Sequence, residues 1–321
     1  MPVIEYASLN EAVAAVCGST VSVAGRRSAM GGDINDAETL TLSDGTRLFM
    51  KSNRRDNIGF FRAEAEGLSA MRRTGTVRVP EVLAIGTDGG RSFLLLETIE
   101  TGYGRRGAGS GRGDAQSDAD PMEELGRSLA AMHRAETGVF ICGGVADGRI
   151  PSAASRWFGF VHDNYIGASV QINTPAETWI EFFAERRLRP QFERAAGYFD
   201  RDERSRFDAF LGRLDRYLIE PAAPSLLHGD LWGGNYMIDA DGRPWLIDPA
   251  AYVGHAEADI AMTELFGGFG YAFYRAYEEV LPMEPGYADR RDLYNLYHLL
   301  NHLNLFGGGY LHSVRSILRR Y

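Results

Sequence analysis

The stretch SLLHGDLWGGNYMIDADGRPWLIDP, residues 225–249, decides how this chain reads. A short apolar run, Leu226-Leu227, leads into a polar loop, HGDLWGGN, at 228–235. A strand-like Tyr236-Met237-Ile238 follows, then a turn, Asp239-Ala240-Asp241-Gly242, and a second strand, Trp245-Leu246-Ile247, that ends in Asp248. Two short strands around such a turn predict a hairpin, which would carry Asn235 and Asp248 to the same end. Taken singly, the pieces are ordinary: His-Gly-Asp is a tight turn, Asn235 an Asx cap, Asp248 the end of a strand. What matters is their order and spacing, with His228, Asp230, Asn235 and Asp248 as the key residues.

Asp230 and Asn235 are spaced as in the protein-kinase catalytic loop, H-R-D-x-x-x-x-N, where the Asp accepts the substrate hydroxyl proton and the Asn holds magnesium. Here the loop reads H-G-D-L-W-G-G-N, and Asp248 stands where the magnesium-binding Asp of D-F-G would stand. Its context, Ile-Asp-Pro, resembles the small-molecule kinases of the aminoglycoside and choline type more than the protein kinases. Magnesium takes oxygen ligands and keeps several waters, so one carboxylate, one amide and nucleotide phosphates suffice to bind it.

The remainder of the chain fits an enzyme of this kind. At 321 residues, with 45% hydrophobic and 24% charged residues, it has an ordinary globular balance and length for one large domain or two lobes. A net charge of −9 argues against nucleic acid or an anionic membrane as the main partner, since both select basic faces. Cys17 and Cys142 form neither a disulfide framework nor a metal-ligand spacing. With no basic n-region at the start and no long apolar run, the expectation is a soluble, cytoplasmic protein that acts as a monomer. Lys51 is the single lysine among 34 Lys and Arg residues. Where arginine serves almost everywhere, a retained lysine marks chemistry that needs a compact ammonium on a thin stem.

In chain order, Ser8-Leu9-Asn10-Glu11 is a capping box that starts a helix closed by Gly18. Strands are expected near 20–28, 36–42 and 46–51, with Met30-Gly31-Gly32-Asp33-Ile34-Asn35 between the first two. Gly31 and Gly32 would let the backbone approach phosphates and aim N–H groups at them. Lys51 closes Leu48-Phe49-Met50-Lys51, the position of the phosphate-binding lysine in the kinase V-A-I-K strand. On the helix expected at 60–73, Glu64 is the first choice as its partner and Glu66 the second. Phe93 to Glu97, followed by Thr98-Ile99, occupies the place of the strand whose backbone pairs with adenine, so Glu97 and Ile99 are candidate nucleotide contacts. The tract at 102–120 is rich in Gly, Ser, Arg and Asp without periodicity and reads as a loop or insertion. From Pro121 the chain turns helical, with His133 expected as a polar core residue and helices expected at 163–173, 179–192 and through 256–321. The expected architecture is α+β and two-lobed, protein-kinase-like. A small β-rich lobe, 1–98, binds nucleotide, and a larger helical lobe, 99–321, carries catalysis and substrate, with the nucleotide between them.

The motifs GGDIN at 31–35, AEAEGL at 63–68, DNYIG with QIN at 163–173, HGDLWGGN at 228–235, YVGHAEADIAMTELFGGF at 252–269 and NHLNLFGGGYL at 301–311 resemble the fructosamine kinase (ketosamine 3-kinase) family. The resemblance implies ATP and magnesium as cofactors and phosphoryl transfer to the 3-hydroxyl of a ketosamine, free or protein-bound. It implies Asp230 as the base, Asn235 and Asp248 as magnesium ligands, and Lys51 with Glu64 as the phosphate-positioning pair. Trp232 would face the sugar, His302 would contact a hydroxyl, and Asp259 would brace the catalytic loop through its backbone. The tract at 103–120 has no counterpart in the family pattern. An aminoglycoside- or choline-type acceptor is the alternative within the same reaction class.

Overall fold

The computed structural model describes residues 4–29, 35–101, 120–141 and 156–321. Gly31, Gly32 and Cys142, and residues 102–119 of the glycine-rich tract, lie outside them. Backbone packing groups the chain into two compact units, one of residues 1–121 with 236–249, the other of 122–235 with 250–321.

The first unit is built on a mixed six-stranded sheet in the order β1-β5-β6-β4-β3-β2, where β1 is Glu5–Tyr6, β2 Val23–Ser28, β3 Asp36–Leu42, β4 Arg47–Arg54, β5 Val82–Asp88 and β6 Arg91–Glu97. Helix α1, Leu9–Cys17, takes the expected N-cap, the Ser8 hydroxyl accepting from Glu11 N at 3.2 Å, but the return bond of the capping box shifts by one residue, the Glu11 carboxylate accepting from Ala7 N at 3.1 Å. Its buried Leu9, Ala12 and Val13 pack with Leu40, Leu48 and Met50. Strand side chains alternate between faces, so the residue after Met50 points away from that core. That residue is Lys51, which the alternation turns to the opposite side of the sheet. Helix α2, Ile58–Arg73, buries Phe61, Ala65, Leu68 and Met71 and packs against β5 and β6. The hairpin of β10, Tyr236–Ile238, and β11, Pro244–Leu246, pairs Tyr236 with Leu246 as expected. It is stitched to the first unit through Leu246 N to Arg78 O at 2.9 Å and Ala240 N to Glu100 O at 2.7 Å.

The second unit is mainly helical. Its helices are α3, Pro121–His133, α4, Trp179–Phe182, α5, Arg189–Arg194, α6, Arg201–Leu211, α7, Glu257–Phe266, α8, Tyr271–Glu278, α9, Tyr287–Phe306, and α10, Leu311–Leu318. The 20-residue α9 is its axis, burying Leu293, Leu296, Leu300 and Leu303 together with the polar Asn295, His298 and Asn301. One expectation fails here. Residues 163–173 form no helix but a hairpin, β7, Asn164–Ile166, and β8, Ser169–Gln171. Gly167, at φ 59°, supplies the left-handed turn residue that a tight hairpin needs. The pair β9, Ser225–Leu227, and β12, Tyr252–Gly254, flanks the HGD loop. A segment of π-helix, Phe183–Leu188, widens the turn between α4 and α5. No helix among the described residues is long and apolar enough to cross a membrane.

Candidate active site

In the first unit, Lys51 Nζ lies buried with two carboxylates, 2.7 Å from Glu64 Oε1 on α2 and in direct contact with Asp248 after β11. Glu64, not Glu66, is thus the helix partner of the lysine. Burial alone would push the ammonium down, but Asp248 and then Glu64 outweigh it, and its pKa stands above the ordinary lysine value. Burial raises the Glu64 carboxyl, with the Asp248 charge adding to the rise and Lys51 opposing it. Asp248 has φ 55°, the single non-glycine residue with positive φ among the described residues. Left-handed backbone at a side chain with chemistry to perform is a common mark of function. Glu97 ends β6 with its side chain already engaged: Oε2 accepts from Glu81 N at 2.9 Å and lies 3.9 Å from Arg72. Ile99 follows β6, half-buried.

In the second unit, the HGD loop is held by its backbone. Asp259 on α7 accepts from His228 N at 2.7 Å and from Gly229 N at 2.8 Å. His133 Nε2 lies 3.2 Å from the same carboxylate, and His133 Nδ1 lies 2.7 Å from the Tyr277 hydroxyl. Burial would raise the Asp259 carboxyl, but hydrogen bonding and charge from His133, with His228 and Gly229, hold it below the usual range. Gly229 sits at φ 80°, and a Cβ there would fall 2.1 Å from Ala250 O, so only glycine fits. Asp230 N donates to His228 Nδ1 at 3.3 Å. Asn235 Nδ2 donates to Asp230 O at 2.7 Å and Oδ2 at 3.2 Å. The amide is thereby oriented, and its Oδ1 has no hydrogen-bond partner among the described residues and is not sealed from solvent. That leaves a hard oxygen of the kind magnesium accepts. Trp232 is 42% exposed, and His302 on α9 bonds through Nδ1 to His298 O at 2.8 Å.

Sequence reasoning missed the layer behind this loop. Asn164 Nδ2 donates to Ala251 O at 2.7 Å, and Gln171 Nε2 donates to Ala250 O at 3.0 Å, while Ala250 N donates to His228 O at 2.9 Å. The buried amides of β7 and β8 thus fix the chain that Gly229 packs against. The available signal was the polar set Asn164, Gln171 and Asn173 in an otherwise apolar setting.

The sequence pattern of the fructosamine kinases matches residues 6–321. A probable ketoamine kinase of Synechocystis is 40% identical over 98% of this chain and 96% of its own length. A chloroplastic protein-ribulosamine 3-kinase of Oryza sativa is 39% identical over 95% of this chain and 80% of its own. The crystal structure of a candidate fructosamine-3-kinase from Thermobifida fusca superposes with a TM-score of 0.74 at 33% identity, covering 97% of both chains. A macrolide 2'-phosphotransferase, at 18% identity and a TM-score of 0.56, shares the fold. A nucleotide-using, kinase-like phosphotransferase fold and a sequence match across nearly the whole chain lead to one assignment: this chain belongs to the fructosamine kinase family.

Proposed function

We propose that this kinase transfers the γ-phosphoryl group of ATP to the 3-hydroxyl of a ketosamine, a fructosyl or ribulosyl amine. The observation that carries the reading is the Asp230–Asn235 pair, oriented by hydrogen bonds on a loop whose backbone Asp259 clamps. Asp230 orients the acceptor hydroxyl and takes its proton late in an in-line transfer without a covalent intermediate. Lys51, steered by Glu64, positions the nucleotide phosphates. Asn235 Oδ1 and Asp248 supply ligands for magnesium, which when bound neutralises charge on the transferring phosphoryl group. Among the described residues no cluster of three or more His, Cys, Asp or Glu could hold a metal.

The test is ATP consumption by the purified protein with magnesium, offered ribulose-lysine, fructose-lysine and an aminoglycoside. Turnover is expected on a ketosamine, and Asp230→Asn is expected to lower kcat by ~10²–10⁴ with nucleotide binding retained. Near-normal turnover in that variant would remove Asp230 from the mechanism. Turnover on the aminoglycoside alone would move the acceptor to another class.

A further inference from the structure

The hairpin of β7 and β8 and the residue after it carry the buried amides Asn164, Gln171 and Asn173, and with Arg187 and Tyr297 they form one hydrogen-bonded layer. Each bond in it has a fixed direction. A guanidinium can only donate, so Arg187 Nη2, 2.7 Å from Asn173, must face Oδ1. Asn173 Nδ2 then donates to Asn164 Oδ1 at 2.9 Å, and Asn164 Nδ2 to Ala251 O at 2.7 Å. At that far end a carbonyl can only accept, so no amide in the row can flip without breaking bonds on both sides. A second row ends beside the first. Ala250 O accepts from Gln171 Nε2 at 3.0 Å, which turns Gln171 Oε1 toward the Tyr297 hydroxyl at 2.7 Å. Burial raises the Tyr297 phenol above its ordinary range, so it stays a donor at neutral pH. Gln171 Nε2 also donates to Asn164 Oδ1 at 2.8 Å and ties the rows together.

Both rows end on consecutive residues, Ala250 and Ala251, and Ala250 meets the catalytic loop. Ala250 N donates to His228 O at 2.9 Å. Gly229 passes so close to Ala250 O that a Cβ would lie 2.1 Å from it. The next residue is Asp230, whose N donates to His228 Nδ1 at 3.3 Å. An apolar layer would hold the hairpin as firmly, since buried polar groups replaced as a set cost little stability. Directed bonds add what packing cannot, because they fix which way the carbonyls of Ala250 and Ala251 point. That matters at a site where a misplacement of about 1 Å costs on the order of 10²-fold in rate. We infer that Gln171 and Asn164, with Tyr297 orienting Gln171, are positioning residues for phosphoryl transfer, holding Ala250 and Ala251 so that the loop presents Asp230 to the acceptor hydroxyl. Their role depends on Asp230 being the group that takes the acceptor proton.

Steady-state kinetics on the full chain test this, with each variant assayed well below its own unfolding midpoint. Gln171→Leu is expected to lower kcat by about 10- to 100-fold with KM for ATP within about twofold, because Lys51 and Glu64 are untouched. Asn164→Leu should act in the same direction. Tyr297→Phe keeps the buried ring and removes only the hydroxyl, so it serves even where the other variants do not fold. Its kcat is expected to fall by about three- to tenfold. The decisive comparison repeats Gln171→Leu and Tyr297→Phe in the Asp230→Asn background. Residues that act through one group are non-additive, so the further loss in kcat there should stay below about twofold. A merely structural role would lower kcat by the same factor in both backgrounds, and that result overturns the positioning role while Asp230 keeps its own. Unchanged kcat in Gln171→Leu and Tyr297→Phe overturns it as well. Near-normal turnover in Asp230→Asn alone is a different failure: it removes Asp230 from the mechanism, and with it the group that the amides position.

Discussion

Two of the buried cations, Lys51 in the first unit and Arg187 in the second, are held in opposite ways. Lys51 faces two carboxylates, Glu64 and Asp248. Arg187 in the π-helical segment is wholly buried and has no carboxylate partner among the described residues. Its Nη1 donates to Ile172 O at 2.5 Å and Arg186 O at 3.1 Å, and Nη2 donates to Asn173 Oδ1 at 2.7 Å. The guanidinium lies 3.9 Å from the Tyr252 ring centroid and 4.6 Å from that of Phe182. A planar fork suits fixed carbonyls and stacked rings, whereas an ammonium at the tip of a thin stem suits partners that change. A cation held by two carboxylates can exchange one of them for a phosphate. One held by backbone and rings has nothing to exchange, so its role is to fix the hairpin of β7 and β8.

If that contrast is right, the two substitutions fail differently. Lys51→Met is expected to lower kcat/KM by about 10²–10³-fold, the scale for removing one positioned charge from a transition state. Its unfolding midpoint should move little, because the raised Glu64 carboxyl can take up a proton once the lysine is gone. Lys51→Arg should not rescue activity, since a fork cannot replace a point charge. Arg187→Met is expected to lose on the order of 2–5 kcal/mol in urea unfolding, because Asn173 Oδ1 and Ile172 O are left buried without a donor. Equal loss of stability in the two variants would break the comparison.

That contrast also marks where sequence reading ends. Asp230, Asn235 and Asp248 were legible because loop, turn and strand follow one another within 25 residues, each with its own residue-type signature. Lys51 was legible because it is the only lysine. Arg187 was not: Glu185-Arg186-Arg187-Leu188-Arg189 reads as a solvated helix face, and only the widened π turn carries Arg187 inward. Such a turn leaves no periodic trace in the sequence. The hairpin of β7 and β8 was misread for a related reason. Asn164 and Gln171 find their partners at Ala251 and Ala250, far along the chain, and local pattern cannot register those bonds.

Buried groups of the two units, His255 and His298 in the second and Glu64 in the first, should also respond to pH with opposite sign. All seven histidines lie in the second unit. Burial, reinforced by the charge of Arg290, drops His255 to about 3, and burial, with a contribution from His302, drops His298 to about 3. Each stays neutral when folded but binds a proton below about 6.5 when unfolded, so stability falls as pH drops from about 6.5 towards 3. The limiting slope is about 1.4 kcal/mol per pH unit for each histidine. Glu64 in the first unit acts the other way: its raised carboxyl keeps a proton that the unfolded chain releases above about 4.5, so its contribution is lost as pH rises. Hydrogen exchange resolved by segment between pH 4 and 7 would separate the two trends. Protection in α9 should weaken towards acid, and His298→Asn should flatten that slope.

The smallest effect is expected at Glu97, and it sharpens what the first unit offers a nucleotide. The Glu97 carboxylate is already committed to Glu81 N and lies near Arg72, so it has little left to give a ligand. Any adenine contact at this end of β6 would have to come from main-chain groups, as in the kinase strand it resembles. Glu97→Gln keeps an acceptor for Glu81 N and removes only a partly exposed charge near Arg72. Such a pair contributes ~1 kcal/mol or less, so nucleotide affinity measured by calorimetry should change less than about fivefold. A loss beyond tenfold would mean that the side chain touches the nucleotide directly. The separation drawn here would then shift, because β6 would carry a recognising carboxylate as well as a backbone edge, and Lys51 would no longer be the only charged strand residue of the first unit assigned to the nucleotide.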